Sequence, residues 1–412
     1  MEIRPILSAL MRSKTAPLLV AMQVAVSLAI LANSLYVVHL RQAAAERPSG
    51  VANEADVFYL TVRPVASITH NENVAQQKAD VKALAAIGGV VSAAWVSQMP
   101  MSRSGSTSGF ALDRRQARES AEVALYYSPD PLVKTLGLSL VDGRDLTPDD
   151  VVEVDPDVDD FSVKFPKSIL VTRAVAEVFY PGTRAVGKPI LYGLGDQAAE
   201  VRIVGVVERL QTPTAQITPD VDHSVILPMR SSANFTRLAV RTEPGQRDRV
   251  MAEAEAALRK ATPMARVIKA RTVEGDRADR YRNERSFAWM LIAVSVLLLL
   301  VTASGIVGMT VLRVAQRRKQ IGIRRALGAR RGDIVRHFLA ENLIITTAGV
   351  LAGVVLAIAL NHTLMAQVEL SRLPAGYLAA GMATLWLLGI AAVCGPAWRA
   401  ASIPPATATR SV

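Results

Sequence analysis

Three stretches of the sequence bring reactive residue types close enough together to do chemistry. The first is Gly182-Thr183-Arg184-Ala185-Val186-Gly187-Lys188, which matches most of a Walker A loop. Such a loop cradles phosphates with backbone N–H groups and a lysine, and a Ser or Thr after the lysine holds Mg²⁺. Here Pro189 follows Lys188. A phosphate loop also lies after a strand and before a helix, because the helix amides bind the anion. In this chain a helical pattern precedes and Pro189-Ile190-Leu191 reads as a strand, so the segment is a turn leading into a strand. The second stretch is acidic: Asp149, Asp150, Glu153, Asp155, Asp157, Asp159 and Asp160. A calcium loop counted from Asp155 needs Gly at its sixth position and Glu at its twelfth. Those positions hold Asp160 and Pro166, which leaves a solvated acidic loop. The third candidate is the histidine set, His39, His70, His223, His337 and His362. None has metal-ligand spacing or a nucleophile partner visible in sequence. No catalytic, cofactor-binding or metal-binding residue is therefore assigned, and the chain reads as non-enzymatic.

The informative charged segment is 313–342. It holds Arg313, Arg317, Arg318, Lys319, Arg324, Arg325, Arg330, Arg331 and Arg336 against only Asp333 and Glu341. Ile334, Phe338 and Leu339 fall on one side of a helix, and Asp333 is suited to cap that helix by accepting backbone N–H bonds. Two readings fit: an interfacial helix held by anionic lipid, or a docking surface for a cytoplasmic partner.

The elements that position this segment are membrane spans. About 20 apolar residues cross roughly 30 Å of hydrocarbon, and four runs qualify: 16–40, 287–312, 343–360 and 377–395. The first exceeds the core of a cleavable signal peptide, so it is expected to stay as an anchor. Between Arg41 and Arg285 there are 32 Lys+Arg and 32 Asp+Glu, so this whole segment is neutral and the net +11 lies beside the spans. Lys and Arg concentrate on the cytoplasmic side. Residues 1–15 (an amphipathic helix), the 313–342 loop and the 396–412 tail are thus expected inside, and 41–285 and the 361–376 loop outside. A pI near 10 would also suit nucleic acid, but a neutral soluble domain lacks the basic face that pairs with phosphates. A single cysteine, Cys394, excludes an internal disulfide.

Residues 41–285 alternate strand and helix signals. Strands are expected at Asp56–Val62, Val90–Val96, Ser168–Val171, Val201–Val207, Val225–Leu227, Leu238–Val240 and Val267–Ile268, with helices at Val74–Ile87, Arg173–Phe179 and Arg247–Lys260. Residues 101–118, rich in Ser, Gly and Arg, are expected to be a mobile insertion. The fold class is a membrane protein of four transmembrane α-helices with a large extracytoplasmic α+β domain between spans 1 and 2. Residues 273–312 lack proline and are expected to form one stalk helix continuous with span 2. Ser304 and Gly308 on span 2, and Gly349 and Gly353 on span 3, are small residues one turn apart, the pattern of close helix contact in lipid.

With these residues in hand, the chain resembles the MacB/FtsX-like ABC transporter permease family. The stretch Gln320-Ile321-Gly322-Ile323-Arg324-Arg325-Ala326-Leu327-Gly328-Ala329 looks like that family's signature after its second span, with Gln320 where the family usually has Glu. Asp333-Ile334, Phe338-Leu339, Glu341, Gly349 and Gly353 resemble its continuation, and Pro396-Ala397 with Ala400-Ala401 its ending. Leu136-Gly137, Asp142-Gly143-Arg144-Asp145, Phe179-Tyr180-Pro181-Gly182 and Ile203-Val204-Gly205-Val206-Val207 are similar to motifs of its outer domain. The resemblance implies a permease that dimerises with an identical or related chain and docks a cytoplasmic ATPase, which binds the ATP. It implies that ATP-driven motion is relayed to the outer domain for export or efflux, with membrane lipid and a periplasmic adaptor among the partners, in a bacterial inner membrane. Coupling is expected at Ile321, Gly322, Arg324, Arg325, Asp333, Ile334, Phe338, Leu339 and Glu341. A non-transport signalling relative is the alternative.

Overall fold

The computed structural model describes residues 15–160, 163–368 and 372–402. In chain order its principal elements are α1 (Thr15–Glu46), β1 (Val57–Pro64), α2 (His70–Ala85), β2 (Val90–Val96), β3 (Thr107–Ala111), β4 (Ala121–Tyr127), α3 (Leu132–Leu136), β5 (Leu140–Gly143), β6 (Val152–Val154), β7 (Ser168–Thr172), α4 (Arg173–Phe179), β8 (Pro189–Tyr192), β9 (Ala199–Val207), β10 (Ser224–Leu227), β11 (Met229–Ser231), β12 (Thr236–Thr242), α5 (Arg247–Ala261), β13 (Arg266–Thr272), α6 (Val273–Arg280), α7 (Arg282–Gln316), α8 (Arg318–Ala326), α9 (Arg331–Val368) and α10 (Ala375–Ala401). They fall into two units, Ala44–Asn283 and the remainder. The expected amphipathic helix at 1–15 lies outside the described residues except for Thr15, as do most of the 396–412 tail and part of the 361–376 loop.

Among the described residues, four helices, α1, α7, α9 and α10, are long and apolar enough to cross a membrane. Their packing is set by small and polar residues. A side chain at Gly349 would lie 2.6 Å from the Ala21 carbonyl oxygen, and one at Gly353 2.9 Å from Leu28 Cβ, so α9 presses on α1 at these positions. The pair expected on span 2 differs: Ser304 and Gly308 are exposed, and nothing lies within 4 Å of a side chain built at Gly308. The close glycine on α7 is Gly305, against Gln23. Every fourth residue of α10, Gly381, Leu385, Gly389, Val393 and Ala397, is buried. Ser27 and Thr302 share a 2.8 Å hydrogen bond between α1 and α7, and Asn33 Nδ2 donates to the carbonyls of Ala29 and Ala357 at 2.9 and 3.1 Å. Such bonds satisfy polar groups that hydrocarbon cannot.

Three boundaries differ from expectation. Helix α9 runs unbroken from Arg331, so the amphipathic stretch Ile334–Leu339 is the first part of span 3 and not a separate helix. The separate short helix is α8, and the turn between them uses Gly328 at φ +98. Helix α10 passes through Pro396 to Ala401, so 396–401 belong to span 4; their Ala397, Ala400 and Ala401 are buried, which holds the last turns in place. The stalk is interrupted: α6 ends at Arg280, Tyr281 takes φ −97 and ψ 7, and α7 restarts at Arg282. Tyr281 is fully buried in the domain core, and anchoring that ring holds its backbone off helical geometry.

In the soluble unit, a four-stranded antiparallel sheet has the order β13-β1-β12-β2. With α2 following β1 and α5 following β12, this is a β-α-β-β-α-β ferredoxin-like layer. Helix α2 starts earlier than the apolar pattern suggests, because Thr69 and Glu72 form a capping box. Phe58, Leu60, Leu84, Trp95, Leu238, Val240, Val250 and Leu258 form its core. The segment between β2 and β12 makes the second lobe. Its pairings run β9-β7-β10-β4-β3-β8 and return to β9, closing a six-stranded ring with β5 added on β9. Residues 101–118 are therefore not simply a mobile insertion. They supply β3, which bonds to β4 and β8, and Phe110 is fully buried in the ring.

Candidate functional site

The 313–342 segment is built around a buried ion pair. Arg313, near the end of α7, bonds Glu341 on α9, and Arg317 Nη1 reaches the same carboxylate at 3.4 Å. Glu341 is 3% exposed. A charge so buried is stable only when paired, so Glu341 is a tie between spans.

Ile321 of α8 and Ile334 and Phe338 of α9 are buried in one core with Ala397, Ala400 and Ala401 of α10. The sequence places Ile334 and Phe338 on an apolar face expected to meet a partner; the structure turns that face onto the chain's own helices, with Phe338 4% exposed and Leu339 packed against the same core. Gly322 is buried with them, and Arg325 donates to the Ala401 carbonyl at 2.6 Å. Asp333 does not precede α9 as its cap but stands in its first turn, where it reaches back to accept the Arg330 N–H at 3.0 Å. Of the expected coupling residues, Arg324 and Asp333 are exposed. The apolar residues that do face outward are Ile323 and Leu327, the latter 83% exposed. Arg317, Gln320, Arg324, Asp333 and His337 line a cleft of about 90 Å³ floored by Ile321 and Phe338. Ile323 lies on α8 and Leu327 is the residue that ends it, four apart in a stretch interrupted by charge, a signal already present in the sequence.

In the soluble unit, the turn 182–188 lies between α4 and β8, with no helix after it. Lys188 Nζ donates to Thr183 Oγ1 at 2.8 Å and stands 4.3 Å from the Tyr180 ring centroid. The acidic stretch is held by its own neighbours: Asp159 accepts from Lys164 and from the Asp155 N–H, and Arg144 bonds Asp150 at 2.6 Å, holding that carboxyl well below its ordinary range. His70 Nδ1 lies 3.0 Å from Ser232 Oγ. Among the described residues, no three His, Cys, Asp or Glu side chains gather as metal ligands.

Comparison with known proteins agrees with this architecture. The family model of the MacB-like periplasmic core domain matches residues 21–260, and that of the FtsX-like permease C-terminal region matches residues 292–405. The chain belongs to the MacB/FtsX-like permease family. It is 32% identical over 130 residues to the pyoverdine export ATP-binding/permease protein PvdT of Pseudomonas syringae pv. tomato, covering 32% of this chain and 20% of that one. It is 35% identical over 129 residues to the macrolide export ATP-binding/permease protein MacB of Bradyrhizobium diazoefficiens, covering 30% and 19%. The match thus takes in about a fifth of the length of these curated relatives. Among solved structures, the periplasmic region of MacB from Actinobacillus actinomycetemcomitans is similar at 14% identity and a TM-score of 0.32, over 54% of this chain and 92% of that one.

Proposed function

We propose that the chain is the permease subunit of an ABC-type exporter of the bacterial inner membrane. The soluble unit and the 361–376 loop face the periplasm, and both termini and the 317–331 segment face the cytoplasm. ATP is bound and hydrolysed by a cytoplasmic ATPase subunit, and this chain is not itself an enzyme. Its motion is relayed mechanically from α8 and α9 to the periplasmic domain, in a dimer with an identical or related permease chain and with a periplasmic adaptor as a further partner. The observation that supports this best is the basic helix α8, whose Ile321 joins the core of the spans while Ile323, Arg324 and Leu327 face outward. The proposed docking surface is accordingly Ile323, Arg324 and Leu327, with Arg325, Asp333, Ile334, Phe338 and Glu341 holding it in place.

Topology labelling tests the orientation. In a Cys394→Ser background, Ser106→Cys should react with an impermeant reagent from outside, and Ser402→Cys only after the membrane is opened. External labelling at Ser402→Cys would overturn the arrangement. Affinity purification of the full chain from its native membrane should bring down an ATPase in stoichiometric amount; its absence from an intact complex would favour the signalling alternative.

A further inference from the structure

Among the described residues, the non-glycine positions with left-handed backbone are Met101 (φ 62), Arg103 (φ 60) and Ala215 (φ 45). Such positions cost roughly 1–3 kcal/mol each and collect at functional sites. All three meet in one place. The Met101 and Arg103 N–H groups donate to the carbonyls of Thr212 and Pro213, which places the 101–103 turn against the loop that carries Ala215. Arg280 Nε at the end of α6 donates to the Thr214 carbonyl at 2.6 Å.

This packing aims the Arg103 side chain at α6, where it donates to the Asp279 carbonyl. Beside it opens a cleft of about 270 Å³ lined by Arg103, Arg271, Asp276, Asp279, Arg282 and Asn283. The carboxylates are largely committed. Asp276, 1% exposed, accepts from Tyr59 OH at 2.7 Å and from Arg271 at 2.8 Å. Asp279 accepts from Arg271 at 3.0 Å and from Arg282 at 2.6 Å. Arg103 forms no ion pair among the described residues. The mouth is cationic: the side chains of Arg271 and Arg282 are 49% and 72% exposed. Planar guanidiniums held side by side suit a tetrahedral phosphate, which accepts several charge-assisted bonds at once.

Its depth selects the source of that phosphate. Arg282 and Asn283 open α7, and the apolar run of that same helix begins at Phe287. At 1.5 Å per residue, this puts the guanidinium helix turn about 7 Å before the hydrocarbon, which is the headgroup layer of a bilayer.

We propose that the cleft formed by the Arg103 turn, Arg271 and Arg282 binds the phosphate of an anionic phospholipid headgroup. The lipid thereby holds the strained 101–103 turn and the end of α6 at the membrane surface. The test uses the full chain, purified in detergent and titrated with phosphatidylglycerol under native mass spectrometry. Arg103→Gln with Arg282→Gln should weaken lipid binding by about tenfold or more, the loss of two charge-assisted bonds. Arg184→Gln with Arg202→Gln, an equal charge change elsewhere in the domain, should leave it unaltered. Arg282→Gln alone, at a largely exposed side chain, should weaken binding several-fold and serves as the test if the double Gln variant does not fold; unaltered binding there likewise overturns the proposal. Unaltered binding in the Arg103→Gln, Arg282→Gln variant, or an equal loss in the Arg184→Gln, Arg202→Gln control, overturns the proposal. Excess inorganic phosphate should fail to displace the lipid; displacement would assign the cleft to a soluble anion and overturn the lipid reading.

Discussion

The two units of the molecule are packed on opposite plans. In the soluble unit large apolar residues such as Phe58, Leu60, Phe110 and Tyr126 are buried, and the buried Arg230 and Arg266 are each held by a carboxylate. Asp80 and Arg266 face each other at 2.8 and 3.0 Å although 186 residues separate them. In the membrane unit large apolar residues such as Leu297, Leu351, Val355 and Leu387 are exposed, and although others such as Leu28 and Phe338 are buried, the closest helix approaches and polar bonds are at Gly349, Gly353, Gly389, Ser27, Thr302 and Asn33. Water drives apolar groups inward in one unit. In the other lipid is as apolar as leucine, so close backbone approach and polar bonds decide the packing. The same substitution should therefore have unequal effects in the two units.

The largest loss is expected in the soluble unit, from Asp80→Ala. It strands a buried guanidinium, which typically costs about 3–5 kcal/mol, and a chemical-denaturation midpoint should fall accordingly. Asp80→Leu with Arg266→Met should recover most of the loss; if the double variant is as unstable as the single one, charge pairing is not the cause. In the membrane unit, Phe338→Ala should cost about 3 kcal/mol by opening a cavity among α8, α9 and α10, read as a lower aggregation temperature in detergent. Gly353→Leu comes next, at about 1–3 kcal/mol of overpacking against Ala25 and Leu28. Leu356→Ala, on an exposed face of the same helix, should be close to neutral. Equal behaviour of Gly353→Leu and Leu356→Ala would remove the small-residue account.

A smaller effect is expected from Glu54, which accepts from Arg277 at 2.5 and 2.7 Å while Arg277 also donates to the carbonyls of Ala45 and Arg47. Burial raises the Glu54 pKa, but the bonds from Arg277 and Ser49 outweigh it and the net shift is downward. A carboxyl lowered in the folded state contributes stability that is complete above its unfolded value, about 4.3, and lost as pH falls through the lowered folded value. Glu54→Gln should therefore cost about 1–2 kcal/mol at neutral pH and make the acid unfolding of the domain less steep. An unchanged acid limb would show that Glu54 does not contribute.

The spans and most strands were legible because each is a run of one kind of residue. Val201–Val207 and the leucine run at 297–300 need no tertiary information. Gly349 and Gly353 are readable from spacing alone, and residues 182–188 read as a turn because Pro189 and the element order oppose a phosphate loop. Strand β3 was hidden, since Thr107-Ser108-Gly109-Phe110-Ala111 has one large apolar residue and gains its order from β4 and β8. The pairs Asp80–Arg266 and Arg313–Glu341 join residues far apart in the chain, which periodicity cannot show. The face carrying Ile334 and Phe338 was visible as a face. An amphipathic pattern does not say whether its apolar side meets a partner or the chain's own helices, and here it meets α8 and α10.

That ambiguity bears directly on the proposed coupling to an ATPase. The decisive measurement is the affinity of the purified ATPase for the full chain in lipid nanodiscs, comparing Leu327→Asp with the unaltered protein. A well-packed apolar anchor typically carries about 2 kcal/mol or more of an interface. Leu327→Asp should therefore weaken ATPase binding by more than about tenfold while leaving the thermal stability of the permease unchanged. Full ATPase affinity in a folded Leu327→Asp protein would contradict the assignment of the outward surface of α8 and its C-terminal residue Leu327 as the surface through which ATP-driven motion enters the membrane.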